Sequence, residues 1–258
     1  MFKKNLFNTQ TAEIKTSAGP VDIPAFYHDT SSVTAFFLCE YDKVLPKIKN
    51  TGLAPAKILN GKVLTAIGFY NYKDTSLGVY NEIILITAVY PDSSGQRSPS
   101  GFQFLKNAAS KKLGFYHIDI ALTENLPLAA GEEIWGLPKF IADVSFNCSN
   151  GRFEGKASTR NSGEMIAQFQ CPYGKGLPAP FSDATFYSFH KNSVLKIIVN
   201  IDAIGRVTSG RNSELLIGNT DNRMTRHLRD LGLEGAKPLF VQTCKKLKFR
   251  LNEGVRIV

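Results

Sequence analysis

The segment Gly131-Glu132-Glu133-Ile134-Trp135-Gly136-Leu137-Pro138-Lys139-Phe140 concentrates the residues that could carry chemistry. It holds the single tryptophan of the chain and a lysine set directly after a proline among apolar neighbours. Read as an extended strand, it projects Glu133, Trp135, Leu137 and Lys139 from one face and Ile134, Pro138 and Phe140 from the other. Pro138 has no N–H to give a sheet ladder, so the backbone there is an edge, a bulge or a bend. Desolvation of a lysine beside an indole and a leucine disfavours its charged form. An amine kept neutral near neutral pH is a nucleophile for carbonyl carbon. The residues alone leave two readings open. One is a catalytic lysine; the other, commoner for a lysine after proline, is a solvated turn residue.

Other chemistries have less to stand on. The sequence contains no GxGxxG, P-loop, HExxH or GxSxG motif. The histidines at 28, 117, 190 and 227 are scattered and read as surface or packed residues. Cys39, Cys148, Cys171 and Cys244 form no CxxC pair, so no metal site and no cofactor is expected, and the four thiols are read as buried or inert. The 258 residues are 43% hydrophobic and 21% charged, which excludes disordered and disulfide-scaffold classes and allows a core without staples. Lys and Arg outnumber Asp and Glu by 31 to 22, a net charge of +9. That excess reads as a solvated basic surface or as a preference for an anionic partner. No apolar run is long enough to cross a membrane, and polar residues follow the Met1-Phe2-Lys3-Lys4 opening. The expectation is a soluble, reduced, cytoplasmic protein with no membrane partner.

The elements that must position Lys139 read mainly as strands. Segments 33–39, 63–72, 82–90, 116–122, 140–146, 151–159, 165–170 and 195–201 are rich in Val, Ile, Phe, Tyr and Thr and are bounded by turn residues. Asn150-Gly151 predicts a tight hairpin, because both central residues tolerate positive φ. Short helices are expected over 41–50, 101–113 and 221–231, the last with Arg223, Arg226 and Arg229 outward. That arginine face reads as the solvated side of an amphipathic helix, so no nucleic-acid partner is expected. Together these predict one α+β domain over residues 1–258, mainly antiparallel, closed as a barrel or packed as a sandwich.

The Gly131–Lys139 stretch resembles the Schiff-base lysine segment of the acetoacetate decarboxylase family. Lys73-Asp74-Thr75-Ser76-Leu77-Gly78-Val79-Tyr80-Asn81-Glu82 resembles that family's strand-turn-strand ending in Tyr-x-Glu. The resemblance implies a barrel-like domain with a mainly apolar cavity, a homo-oligomer, Lys139 as imine-forming lysine and Glu82 as active-site glutamate. Three positions depart from the family pattern. Phe140 stands where the decarboxylase has a second lysine, Ile67 where it has an earlier glutamate, and no arginine lies within 29–32. Losing polar anchors implies a larger or less polar substrate.

On this reading Lys139 condenses with a small oxo acid and the iminium acts as an electron sink for carbon–carbon cleavage. Glu82 moves protons or holds water. Trp135, Leu137 and Tyr80 keep the cavity apolar, with Ile67 and Phe140 beside them. Arg97 and Arg211 are candidates to hold a substrate carboxylate. The alternatives are an aldolase or dehydratase using the same imine, and a catalytically silent barrel that binds a small ligand.

Overall fold

A computed structural model describes residues 5–92 and 112–257. In chain order the strands are β1 (Ala12–Thr16), β2 (Gly19–Ile23), β3 (Ala25–Cys39), β4 (Leu53–Pro55), β5 (Lys57–Leu59) and β6 (Lys62–Thr75). Next come β7 (Tyr80–Pro91), β8 (Gly114–Leu122), β9 (Lys139–Ile141), β10 (Asp143–Ser149), β11 (Arg152–Ser158) and β12 (Met165–Pro172). The last are β13 (Leu177–Pro180), β14 (Ala184–His190), β15 (Ser193–Asp202), β16 (Ile204–Ser209), β17 (Glu214–Ile217) and β18 (Phe240–Arg256). The α-helices are α1 (Tyr41–Val44), continued by a 3-10 turn over Leu45–Ile48, α2 (Asn125–Trp135) and α3 (Arg223–Asp230).

Seven strands close into a barrel in the order β3, β6, β7, β8, β14, β15, β18 and back to β3. Neighbours run antiparallel except β8 and β14, which are parallel. A second antiparallel sheet, β10-β11-β12-β17, covers one side of the barrel. Its β10–β11 hairpin turns at Asn150 and Gly151, both at positive φ, with Ser149 opposite Arg152.

This architecture explains why β7 along nearly its whole length, and β6 over residues 63–69, are buried on both faces. Their alternate side chains serve different interiors. On β7, Ile84 and Ile86 belong to the barrel interior, while Ile83 and Leu85 pack outward against the second sheet and α3. On β6, Ala66 and Tyr72 face inward, and Ile67 and Phe69 face outward.

The segment before Lys139 corrects the extended reading. Residues 125–135 form α2, which carries the chain from β8 back to β9, and β9 pairs parallel to β8. Gly136 at φ 62° ends the helix: its N–H bonds the Glu132 carbonyl, and the Leu137 N–H bonds that of Gly131. This is a glycine stop followed by a proline that cannot continue the helix. Pro127 sits in the first turn, where its missing N–H costs nothing.

Two arginines of the α3 face bond other elements of the fold, whereas Arg226 is exposed and pairs with the neighbouring Asp221, as a solvated face implies. Arg223 Nε lies 2.9 Å from Asp119 Oδ1, and its Nη2 donates to the Pro138 and Lys139 carbonyls at 2.5 and 3.1 Å. Its guanidinium sits over the Phe140 ring, 4.8 Å from the centroid. Arg229 donates to the Gly218 carbonyl and pairs with Glu234. The expected helix over 101–113 falls almost wholly outside the described residues. Cys39, Cys171 and Cys244 are buried free thiols, whereas Cys148 is exposed; burial pushes all four thiol pKa values up.

Candidate active site

Lys139 opens β9 directly after the α2 stop, opposite Ile120 of β8. Its backbone is held on both sides: Ile120 N–H bonds the Pro138 carbonyl, and Arg223 bonds that carbonyl and the next. The side chain runs across the α2 surface at Gly131. A Cβ built at Gly131 would lie 2.3 Å from Lys139 Cε and 2.4 Å from Cδ, well inside contact distance. The glycine in mid-helix is therefore what gives the lysine stem its channel, at a cost in helix propensity of roughly 1 kcal/mol.

The amine ends 2.9 Å from Glu82 Oε2. Lys139 is 7% exposed and Glu82 5%, so this is a buried ion pair. Burial penalises both charges and each partner offsets the other's penalty. Tyr72 Oη donates to the second carboxylate oxygen at 3.1 Å. Tyr80 and Tyr27 share a hydrogen bond at 3.1 Å, and Tyr70 lies 3.4 Å from Thr34 Oγ1. Burial pushes the pKa of all four phenols up, and the nearby Glu82 carboxylate adds to that. They stay protonated and can donate to oxygen.

These groups line one cavity of about 460 Å³ that opens into the barrel interior. Most of the rest of the lining is apolar, including Phe36, Ile84, Ile86, Ile120, Leu137 and Phe249, with Ser182, Asp183, Thr185 and Gln242 as further polar members. His117 of β8 also lines it, 8% exposed and stacked on Phe186 with centroids 4.8 Å apart. Burial, helped by the positive Lys139, lowers the imidazole pKa from 6.5 to about 3.

Of the residues singled out in the sequence, Lys139, Glu82, Tyr80 and Leu137 meet in this cavity. Trp135 does not line it: the indole is buried at the end of α2, and its Nε1 donates to the Asn252 carbonyl, anchoring the helix to β18. Ile67 faces the outer core, because it pairs with Ala35 and Leu85, positions of the opposite alternation from Glu82. Phe140 packs against that same outer core beneath Arg223. Arg211 is exposed on a 3-10 turn outside the cavity. Arg97 lies outside the described residues. Tyr27, Tyr70, Tyr72 and His117 were not anticipated. Tyr70 and Tyr72 were within reach of pattern reading, since the β6–β7 register puts Tyr70 opposite Glu82 and Tyr72 opposite Tyr80. His117 was not, because a register shift between Leu85 and Ile86 breaks the alternation beside it.

A seven-stranded barrel with an amine–carboxylate pair buried in its cavity defines the structural class. Within that class the family model for acetoacetate decarboxylase (ADC) matches residues 11–223, and the chain belongs to this family. Acetoacetate decarboxylase from Legionella pneumophila subsp. pneumophila str. Philadelphia 1 shares the fold at TM-score 0.65 and 14% identity, over 100% of this chain and 93% of that one. An acetoacetate decarboxylase-like enzyme from Sphingomonas wittichii RW1 superposes at TM-score 0.62 and 13% identity, over 92% and 94%. The enduracididine biosynthesis enzyme MppR, complexed with the condensation product of pyruvate and imidazole 4-carboxaldehyde, does so at 0.60 and 10%, over 91% and 89%. No curated protein matches the chain.

Two outcomes test this geometry. Gly131→Ala drives a Cβ into the Lys139 stem, so urea unfolding should show a loss of about 1–3 kcal/mol where alanine at an open helix position would add about 1 kcal/mol; a gain contradicts the channel. The second concerns acid stability. Between pH 6.5 and about 3 the unfolded chain binds a proton at His117 that the folded chain refuses. Stability therefore falls on acidification through that window, by up to about 1.4 kcal/mol per pH unit. In urea unfolding, His117→Phe should lose about 1–2 kcal/mol less than the parent between pH 7 and pH 5; parallel losses contradict a buried neutral imidazole.

Proposed function

We propose that this chain is a Schiff-base enzyme in which Lys139 condenses with a carbonyl compound to make or break a carbon–carbon bond. The observation that supports it is the 2.9 Å hydrogen bond between two nearly inaccessible groups, Lys139 Nζ and Glu82 Oε2, at the end of an apolar cavity. A proton moved along that bond turns ammonium and carboxylate into amine and carboxylic acid. No second acceptor is needed, and the neutral pair suits a dry site.

The amine lone pair then adds to the carbonyl carbon. The tetrahedral oxygen is protonated and leaves as water, giving an iminium. Glu82 is positioned for these transfers, and Tyr72, bonded to the same carboxyl group, holds it in place. The iminium draws in the electron pair released when carbon dioxide departs from a β-keto acid or a proton leaves the α-carbon. The resulting enamine is reprotonated, or attacks a second carbonyl, and water frees the lysine. The buried phenols can donate to the oxygen that develops charge on addition.

A second reading, aldol or dehydratase chemistry through the same imine, has its own support. The cavity volume of about 460 Å³ falls within the rough 300–1,000 Å³ range of sites that enclose larger ligands. The solved complex of MppR with a condensation product of pyruvate and an aldehyde provides a fold-level parallel.

Borohydride trapping with acetoacetate, pyruvate and longer oxo acids tests the imine. The expected product is a reduced adduct that maps to Lys139 and is absent from Lys139→Ala, with Glu82→Gln slowing its formation by about 10²-fold or more. If no oxo acid or aldehyde gives an adduct, the silent ligand-binding barrel replaces the enzyme.

A further inference from the structure

The imine chemistry of Lys139 and Glu82 makes no use of His117, although it lines the same cavity. Its Nδ1 is buried and has no hydrogen-bond partner among the described residues. A buried polar nitrogen left unpaired is costly, and folded proteins leave few of them. The ring is held in place by stacking on Phe186, at an interplanar angle of 25°. Neutral imidazole offers one N–H and one lone pair, so it can bond a hydroxyl in either sense.

The register fixes where this nitrogen lies relative to the amine. Lys139 joins the sheet opposite Ile120, close to the level of Ile84 on β7, and its amine reaches toward Glu82. His117 pairs with Ile86, on the side of Ile84 away from Glu82. The backbone levels of Lys139 and His117 are two strand residues apart, roughly 7 Å, and Glu82, toward which the amine reaches, stands two residues further away; Ile84, Ile86 and Ile120 line the cavity between. The cavity thus has a polar reacting end, an apolar middle and an imidazole beyond it. A carboxylate terminus would be stranded beside His117, and the lining carboxylate of Asp183 already accepts from Asn200 Nδ2 and the Ile201 N–H. Lys139 is the only cationic side chain among the described lining residues, and it is paired with Glu82.

We infer that His117 forms a specificity subsite, and that the substrate is a carbonyl compound whose apolar or aromatic body ends in an uncharged hydrogen-bonding group such as a hydroxyl. This rests on the Schiff-base reading of Lys139.

Rigid benzaldehydes carry such a terminus at a fixed distance from the aldehyde. The amine adds to the aldehyde carbon, water leaves, and hydride from cyanoborohydride reduces the iminium to a stable secondary amine. Intact-mass and peptide analysis then locate the adduct. The probes are 4-(hydroxymethyl)benzaldehyde, its near-isostere 4-ethylbenzaldehyde and 4-carboxybenzaldehyde. The concentration for half-maximal trapping at Lys139 should be about tenfold lower for the hydroxymethyl compound than for the ethyl compound. In His117→Phe that preference should vanish while trapping itself persists. Equal trapping of the two by the parent protein, needing no variant, overturns the subsite and leaves the imine standing. Retention of the preference in His117→Phe also overturns it, and preference for the carboxylate overturns the uncharged class. Absence of any Lys139 adduct overturns the Schiff-base reading on which the subsite rests.

Discussion

The ion pair between Lys139 and Glu82 is the constraint around which the rest of the molecule is arranged. Two unit charges removed from water carry a desolvation penalty of several kcal/mol each, repaid only by good geometry and further hydrogen bonds. The fold supplies both. Glu82 stands on β7 in the barrel wall, fixed by pairing with Tyr70 on one side and Leu122 on the other. Lys139 arrives on a short strand after a capped helix, with its carbonyl and that of Pro138 clamped by Arg223. Asp119, itself buried, holds the clamp from the outer face of β8 and also bonds His227. Arg223 of α3 thus works from the outer face of the sheet to hold the lysine segment, while Arg226 remains on the solvated side of the helix.

Small residues are as necessary to this arrangement as charged ones. Gly131 opens the path of the lysine stem along α2, and Gly136 makes the left-handed turn that aims the chain at β9. The sole tryptophan pins the helix end through Asn252, and Ser188 bonds the Trp135 carbonyl. These contacts keep the lysine from relaxing toward solvent, which its length and flexibility would otherwise favour.

Much of this was legible in the sequence, and the failures have physical reasons. Alternation and turn chemistry located the long strands and the Asn150-Gly151 hairpin, because local rules govern both. The family resemblance singled out Lys139 and Glu82. Helix α2 escapes the pattern because its segment includes Pro127 and Gly131, which weaken a helical signal; the stop at Gly136 and Pro138 is its clearest mark. Ile67 was assigned to the cavity by position along the family pattern, although alternation from Tyr70 and Glu82 turns it outward. Trp135 was placed on a strand face that does not exist. The tyrosine cluster gathers residues from β3, β6 and β7, and His117 comes from β8 beyond a register shift. Such sets depend on how distant strands meet, which a linear pattern does not carry.

The central claim is that the Lys139 amine, held against Glu82 in an apolar cavity, forms a covalent imine with a carbonyl carbon. The most direct measurement is ¹³C NMR of protein labelled with ¹⁵N at its lysine side chains, mixed with 4-(hydroxymethyl)benzaldehyde carrying ¹³C at the aldehyde. The account predicts an imine carbon resonance split by one directly bonded ¹⁵N in the parent protein and absent from Lys139→Ala. No such resonance in the parent, or one that survives the loss of Lys139, would contradict it.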